Sequence, residues 1–230
     1  MSSDTTLILL PGLDGTGKLF EPFLAAAPRG LAPIPVAYPT QFASYDELEP
    51  IVRAKLTDHC VLLAESFSGP LGVRLAADAR VRALILCNSF VSPPHPAWLR
   101  HLAIGPLFCV PPPGWLLRRF LLGKVATPEL CQSVRDAVRQ VPRAVLARRL
   151  RQVLSCGEQK VLSSHRKPVL YLRGSNDAVV SLLSWRAIKS VNPDAQLAEV
   201  AGPHLLLQTE PQACWKAILP FLGAVGVGVN

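Results

Sequence analysis

The chain has 230 residues, half of them apolar, with 24 lysines and arginines against 16 acidic residues and a formal net charge of +8. That length and apolar content suffice for one three-layer core, so no second domain is required. Six cysteines without a C-x-x-C pair argue against a disulfide framework and for a reduced compartment, and five histidines without H-x-x-x-H spacing point to no metal.

The opening residues 1–4 carry no basic region, and the short apolar run after them stops at Pro11, so no signal peptide is expected and the protein is placed in the cytoplasm. Strand-like runs at 5–10, 33–37, 60–65, 81–87, 168–173 and 196–200 alternate with helix-like ones. This alternation predicts an α/β fold, a doubly wound and mostly parallel sheet with helices on both faces. The first strands are continuously apolar, as strands buried on both sides are. The uncharged, glycine-rich tail 219–230 reads as frayed.

The first strand runs into Pro11-Gly-Leu-Asp-Gly-Thr-Gly17, where glycines let backbone N–H groups approach a substrate closely. Its spacing fits neither phosphate-binding glycine pattern, and no Ser or Thr follows Lys18. The third strand ends in Ala64-Glu-Ser-Phe-Ser68, a serine between small residues, as a sharp strand-to-helix turn requires. Ser66 is the candidate nucleophile. The strand ending at Gly174 delivers Asp177 in the loop behind it, and Gln196–Val200 is broken by Ala-Gly-Pro203 just before His204. Asp177 is the candidate acid and His204 the candidate base. Taken singly, Ser66 could cap a helix, Asp177 could solvate a loop and His204 could sit in a core; the joint pattern is what favours chemistry. Ser89, His165 and Asp194 fit less well, the first lacking the small flanks and the other two lying ahead of strands rather than behind them.

Between nucleophile and acid, residues 91–157 break the strand–helix rhythm. Thr127 with Pro128 and Glu129 marks one helix start and Pro142 a second, with apolar positions Leu130, Val134, Val138 and then Val145, Leu146, Leu150, Val153 at helical spacing. By its location this segment reads as a helical lid inserted in a core formed by 1–90 and 158–230; helices that merely pack on the core would show the same apolar stripes. It holds ten cations against two anions, an excess equal to the whole net charge. A solvated face explains such a cluster, and so does a docking surface for an acidic partner formed by Arg135, Arg139, Arg143, Arg148, Arg149 and Arg151. Trp98, Phe108, Trp115 and Phe120 among these cations also suit peripheral contact with an anionic membrane. Nucleic acid fits poorly, and the uncharged piece 102–117 is too short and too broken by proline to span a bilayer.

The stretches 9–17, 64–69, 172–180 and 201–204, in the order Ser66, Asp177, His204, resemble those of the α/β-hydrolase superfamily of serine esterases and lipases over nearly the whole chain. Within it, the short length and helical insert are similar to pimeloyl-acyl-carrier-protein methyl esterases, and the first loop to phytyl ester synthase-type acyltransferases. The resemblance implies a cofactor-free carboxylesterase that forms an acyl-enzyme on Ser66, with the Leu13 and Phe67 N–H groups as oxyanion donors. It implies a small or carrier-linked acyl ester as substrate, with an acidic acyl carrier protein as partner. An acyltransferase, or a lipase-like esterase at membrane surfaces, is the alternative. Ala64 and Ser68 stand where the family has glycines, and Pro11 where many relatives have histidine.

Overall fold

A computed structural model describes residues 5–102 and 112–227. Among them β1 (Thr6–Leu10), β2 (Ile34–Pro35), β3 (Cys60–Glu65), β4 (Val81–Cys87), β5 (Val169–Gly174) and β6 (Gln196–Val200) form one sheet in the order β2-β1-β3-β4-β5-β6, each neighbouring pair parallel. The helices in chain order are α1 (Glu21–Ala25), α2 (Tyr45–Arg53), α3 (Gly69–Ala76), α4 (Gly114–Leu117), α5 (Pro128–Arg139), α6 (Arg143–Val153), α7 (Gln159–Ser164), α8 (Leu182–Val191), α9 (Leu206–Thr209) and α10 (Pro211–Ala224).

Parallel neighbours need crossovers, and the crossovers cover both faces of the sheet. Successive strand residues therefore serve different cores. Leu10, Leu62, Ala64, Leu84 and Leu86 pack with residues of α2, α3 and α8, whereas Leu9, Leu63, Ile85 and Leu172 pack with residues of α1, α9 and α10. After β1 the chain first fills the β2 edge and then returns to lay β3 on the other side of β1. The strand order reverses between β1 and β3, and in open α/β sheets ligands bind outside the carboxyl ends of the strands at such a switch point. Every candidate site loop leaves this same end of the sheet.

The insert helices start where their capping residues put them. Thr127 Oγ1 accepts the Leu130 N–H at 3.2 Å ahead of Pro128, and α6 opens after Pro142. Their apolar faces cover the site end of the core: Leu117, Leu122, Cys131 and Val134 cluster with Leu205, and Val141, Val145 and Leu146 with Ala43 and Leu13. Ile104, Leu107, Phe108, Cys109 and Val110 of the insert lie outside the described residues. Cys60, Cys87, Cys131, Cys156 and Cys214 are free and buried. Among the described residues no helix is long and apolar enough to cross a membrane.

The tail corrects the sequence reading. Helix α10 continues to Ala224, and Phe221, Leu222 and Val227 are buried. Its lack of charge reflects burial against the sheet rather than fraying, because apolar residues on all sides of a helix favour an interior position. Residues 228–230 lie outside the described range.

Candidate active site

β3 ends at Glu65, and Ser66 sits at φ 46°, a backbone region that non-glycine residues seldom occupy. The reversal into α3 depends on close contact between strand and helix. A Cβ at Gly72 would lie 2.8 Å from Ala64 Cβ, and one at Gly69 would overlap Ser89 Oγ. Ala64 is therefore small because Gly72 packs on it. Position 68 carries a hydroxyl for a reason of its own: Ser68 Oγ donates to the Pro11 carbonyl and receives the Tyr38 hydroxyl at 2.6 Å, joining the serine turn to the glycine loop. Burial holds the Tyr38 phenol well above its ordinary range, so it remains a donor.

Two distant loops converge on Ser66. Its Oγ is 2.9 Å from His204 Nε2, and His204 Nδ1 is 3.0 and 2.9 Å from Asp177 Oδ1 and Oδ2. A carboxylate at Nδ1 keeps the proton on that nitrogen and leaves Nε2 to accept from the serine hydroxyl. Asp177 Oδ1 also accepts the Val179 and Val180 N–H groups at 2.7 and 3.0 Å, which fixes the carboxylate's orientation. The Asp177 side chain is fully buried and the His204 side chain nearly so.

Asn88 holds this convergence in place, and the sequence reading missed it. Its Nδ2 donates to the Pro203 and His204 carbonyls at 3.0 and 2.8 Å, while its Oδ1 accepts the Gly174 N–H at 2.7 Å. One side chain thus ties the end of β4 to the loops that carry Asp177 and His204. Its φ of 43° is one that asparagine tolerates better than most residues. An asparagine directly after a buried apolar strand was the available signal.

The two expected oxyanion donors lie on adjoining turns. Phe67 follows Ser66, and Leu13 lies in the loop that Ser68 bonds through Pro11. That loop is closed by Gly15 N–H to Gly12 O at 3.0 Å and Thr16 N–H to Asp14 Oδ1 at 2.8 Å. Gly15 and Gly17 have φ near 70°, where glycine is favoured.

The six arginines read as a docking face do not share one environment. Arg149 corrects that reading: it is 0 % exposed and lies on the inward stripe of α6 with Val145 and Leu146. Counting charge without helical phase placed it on the surface. Arg148 bonds Glu47 at 3.2 Å, Arg139 bonds Asp136 at 3.2 Å and Arg135 donates to the Pro112 carbonyl at 3.3 Å. Arg139, Arg143, Arg148 and Arg151 are exposed.

Glu65, immediately before Ser66, is another group the sequence reading passed over. It is 2 % exposed, receives Gln208 Nε2 at 3.3 Å, and has no partner at Oε1 among the described residues. Burial pushes its pKa up to about 7 from 4.5. Between those values the folded chain holds a proton that the unfolded chain has lost, so this group's contribution to stability falls as pH rises through that window. Glu65→Gln should therefore be more stable than the natural chain at pH 8, by on the order of 3 kcal/mol at most, with the difference vanishing by pH 4. Urea melts of both proteins at the two pH values check this, and parallel profiles would refute it.

No protein-family model and no curated protein matches the sequence. Solved structures do match the shape. A hydrolase from Pseudomonas aeruginosa PA01 is similar at TM-score 0.77 and 22 % identity, over 97 % of this chain and 91 % of that one. A bromoperoxidase from Bacillus anthracis is similar at TM-score 0.79 and 16 % identity, over 96 % and 93 %. A thermophilic esterase from Thermogutta terrifontis is similar at TM-score 0.76 and 18 % identity, over 98 % and 92 %. At such identities the likeness establishes architecture and leaves chemistry to the site. With its parallel sheet, its helices on both faces and these neighbours, the chain has the α/β-hydrolase fold.

Proposed function

We propose that the protein is a serine carboxylic ester hydrolase. The observation that carries the reading is the continuous hydrogen-bonded path from Ser66 Oγ through His204 to Asp177. His204 Nε2 takes the hydroxyl proton as Ser66 Oγ attacks the ester carbonyl, and Asp177 stabilises the imidazolium that forms. The Leu13 and Phe67 N–H groups receive the oxyanion, the protonated His204 returns its proton to the leaving alcohol, and an acyl-Ser66 remains. Water, activated by the same histidine, releases the acid. A thermophilic esterase is among the proteins that share this architecture, so the fold accommodates such chemistry, and the choice of ester hydrolysis rests on the site. A fluorophosphonate probe should label Ser66, and p-nitrophenyl esters of short or medium chain should give a burst followed by a steady rate. An unlabelled, burst-free protein would overturn the reading.

The insert is proposed as a lid. Supporting this, the Leu205 N–H, next to His204, donates to the Leu121 carbonyl at 2.9 Å, and a Cβ at Gly123 would stand 3.2 Å from Pro203. Residues of the insert thus brace the base loop directly.

The finer substrate reading is an acyl ester carried on an acidic acyl carrier protein, of the pimeloyl methyl ester type. Its support is the exposed Arg139, Arg143 and Arg148 on two helices beside the site, since a positive face speeds encounter with an acidic partner. The double variant Arg139→Glu/Arg143→Glu should raise the apparent KM for an acyl-carrier ester about tenfold and leave p-nitrophenyl butyrate turnover unchanged. Equal effects on both substrates would defeat the docking idea.

A further inference from the structure

We propose that Arg149 is a positioning residue for the oxyanion site, a buried cation that sets the shape of the glycine loop and lends its field to the developing negative charge. The proposal rests on the ester-hydrolase reading and adds to it a residue from the inserted segment.

All five guanidinium N–H groups are used. Nη1 donates to the Leu13 carbonyl at 3.0 Å and the Asp14 carbonyl at 2.7 Å, Nη2 to Pro39 at 3.3 Å and Phe42 at 2.9 Å, and Nε to Phe42 at 3.1 Å. None of these acceptors is a carboxylate. A guanidinium removed from water normally recruits an anion, because burying an unpaired charge is costly. Here main-chain dipoles solvate it instead, and the nearby Asp14 carboxylate is turned to Thr16. The guanidinium carbon lies 5.8 Å from the centre of the Tyr38 ring and 5.9 Å from that of Phe67, the residue after the nucleophile. The loop is shaped to admit it: Gly15 lies at φ 70°, and a Cβ there would overlap Nη1.

The arrangement has a catalytic reading. Leu13 supplies one proposed oxyanion donor through its N–H and is anchored to Arg149 through its carbonyl. Phe67 supplies the other and stands against the same guanidinium. An oxyanion forming between those N–H groups would feel a full positive charge from behind the loop, held in place before the negative charge develops. Without the guanidinium, the Leu13, Asp14 and Phe42 carbonyls lose their donors and the loop can relax away from Ser66.

Three variants test this: Arg149→Met, which removes charge and all five bonds; Arg149→Lys, which keeps the charge with fewer bonds; and Gly15→Ala, which leaves the arginine in place and crowds it. The Met variant should lose about 10²-fold in kcat with KM changed less than about threefold, and the Lys variant should recover part of that loss. Gly15→Ala should lower kcat in the same sense. Affinity for a boronic acid, which forms a tetrahedral anion on the serine, should fall in step with kcat/KM, while affinity for the product acid stays constant. Folded variants with unchanged kcat would overturn the proposal. So would equal losses of boronic acid and product affinity, or a set of variants none of which folds, since Arg149 would then serve stability alone. Fluorophosphonate labelling of the natural chain separates the two levels: an unreactive natural protein removes the hydrolase reading and this one with it, whereas a reactive natural protein with normal variants removes only this one.

Discussion

Ser66→Ala should lower kcat for a p-nitrophenyl ester by about 10⁴-fold or more, with an unfolding midpoint close to that of the natural chain. The size follows from the path of hydrogen bonds. Among the described residues the partner of His204 Nε2 is the Ser66 hydroxyl 2.9 Å away, so on the proposed mechanism removing Oγ removes both the attacking group and the proton that the histidine takes. Asp177→Asn should lose a comparable amount for a different reason. The amide NH₂ would favour the tautomer with the proton on Nε2, turning the base away from the nucleophile. Because the three act as one unit, the double variant Ser66→Ala/His204→Ala should be no worse than Ser66→Ala alone. Steady-state kinetics on purified, folded proteins decide this. A Ser66→Ala protein retaining a tenth of natural turnover would mean that the serine is not the attacking group.

Asn88→Ala should destabilise the fold by on the order of 3–5 kcal/mol and also slow ester turnover. Three buried main-chain groups, the Gly174 N–H and the Pro203 and His204 carbonyls, would lose their partner together at a fully buried position. The loops that those bonds hold carry Asp177 and His204, so the His204–Ser66 distance should loosen with them. Asn88→Asp should be no milder. It keeps the shape but presents a carboxylate oxygen to two carbonyls where the amide had offered N–H. Denaturant melts measure the first effect and kcat the second. Loss of stability below about 1 kcal/mol for Asn88→Ala would show that the side chain is not bearing the loops.

The strands were legible almost residue for residue. The expected 60–65, 81–87 and 196–200 coincide with β3, β4 and β6, and the others differ by no more than a few residues; the central strands stood out because a parallel sheet covered on both faces demands unbroken apolar runs there. The same logic misled at the tail, where an uncharged, glycine-bearing segment proved to be the buried helix α10. The candidate triad was readable because its chemistry needs rare residue types directly behind strand ends. Asn88, Glu65 and Ser68 were not, since each works through a contact with a loop more than fifty residues away or through burial that composition does not report. Arg149 is the sharpest case. In the sequence it is one of ten cations in a basic segment, indistinguishable from Arg148 beside it.

The amino-acid sequence by itself determined the alternation of strands and helices, the glycine loop, the capped starts of α5 and α6, and the order of serine, aspartate and histidine. Those features depend on local backbone preference and on short-range patterns of burial. Only the tertiary structure decided that Ser66, His204 and Asp177 lie within hydrogen-bonding reach, that Asn88 ties two of their loops together, and that Arg149 points inward to carbonyls rather than outward to a partner. The reason is physical. Whether a polar side chain is solvated by water or by buried dipoles depends on what the rest of the chain brings against it, and residues 135 positions apart meet only when the whole sheet is assembled.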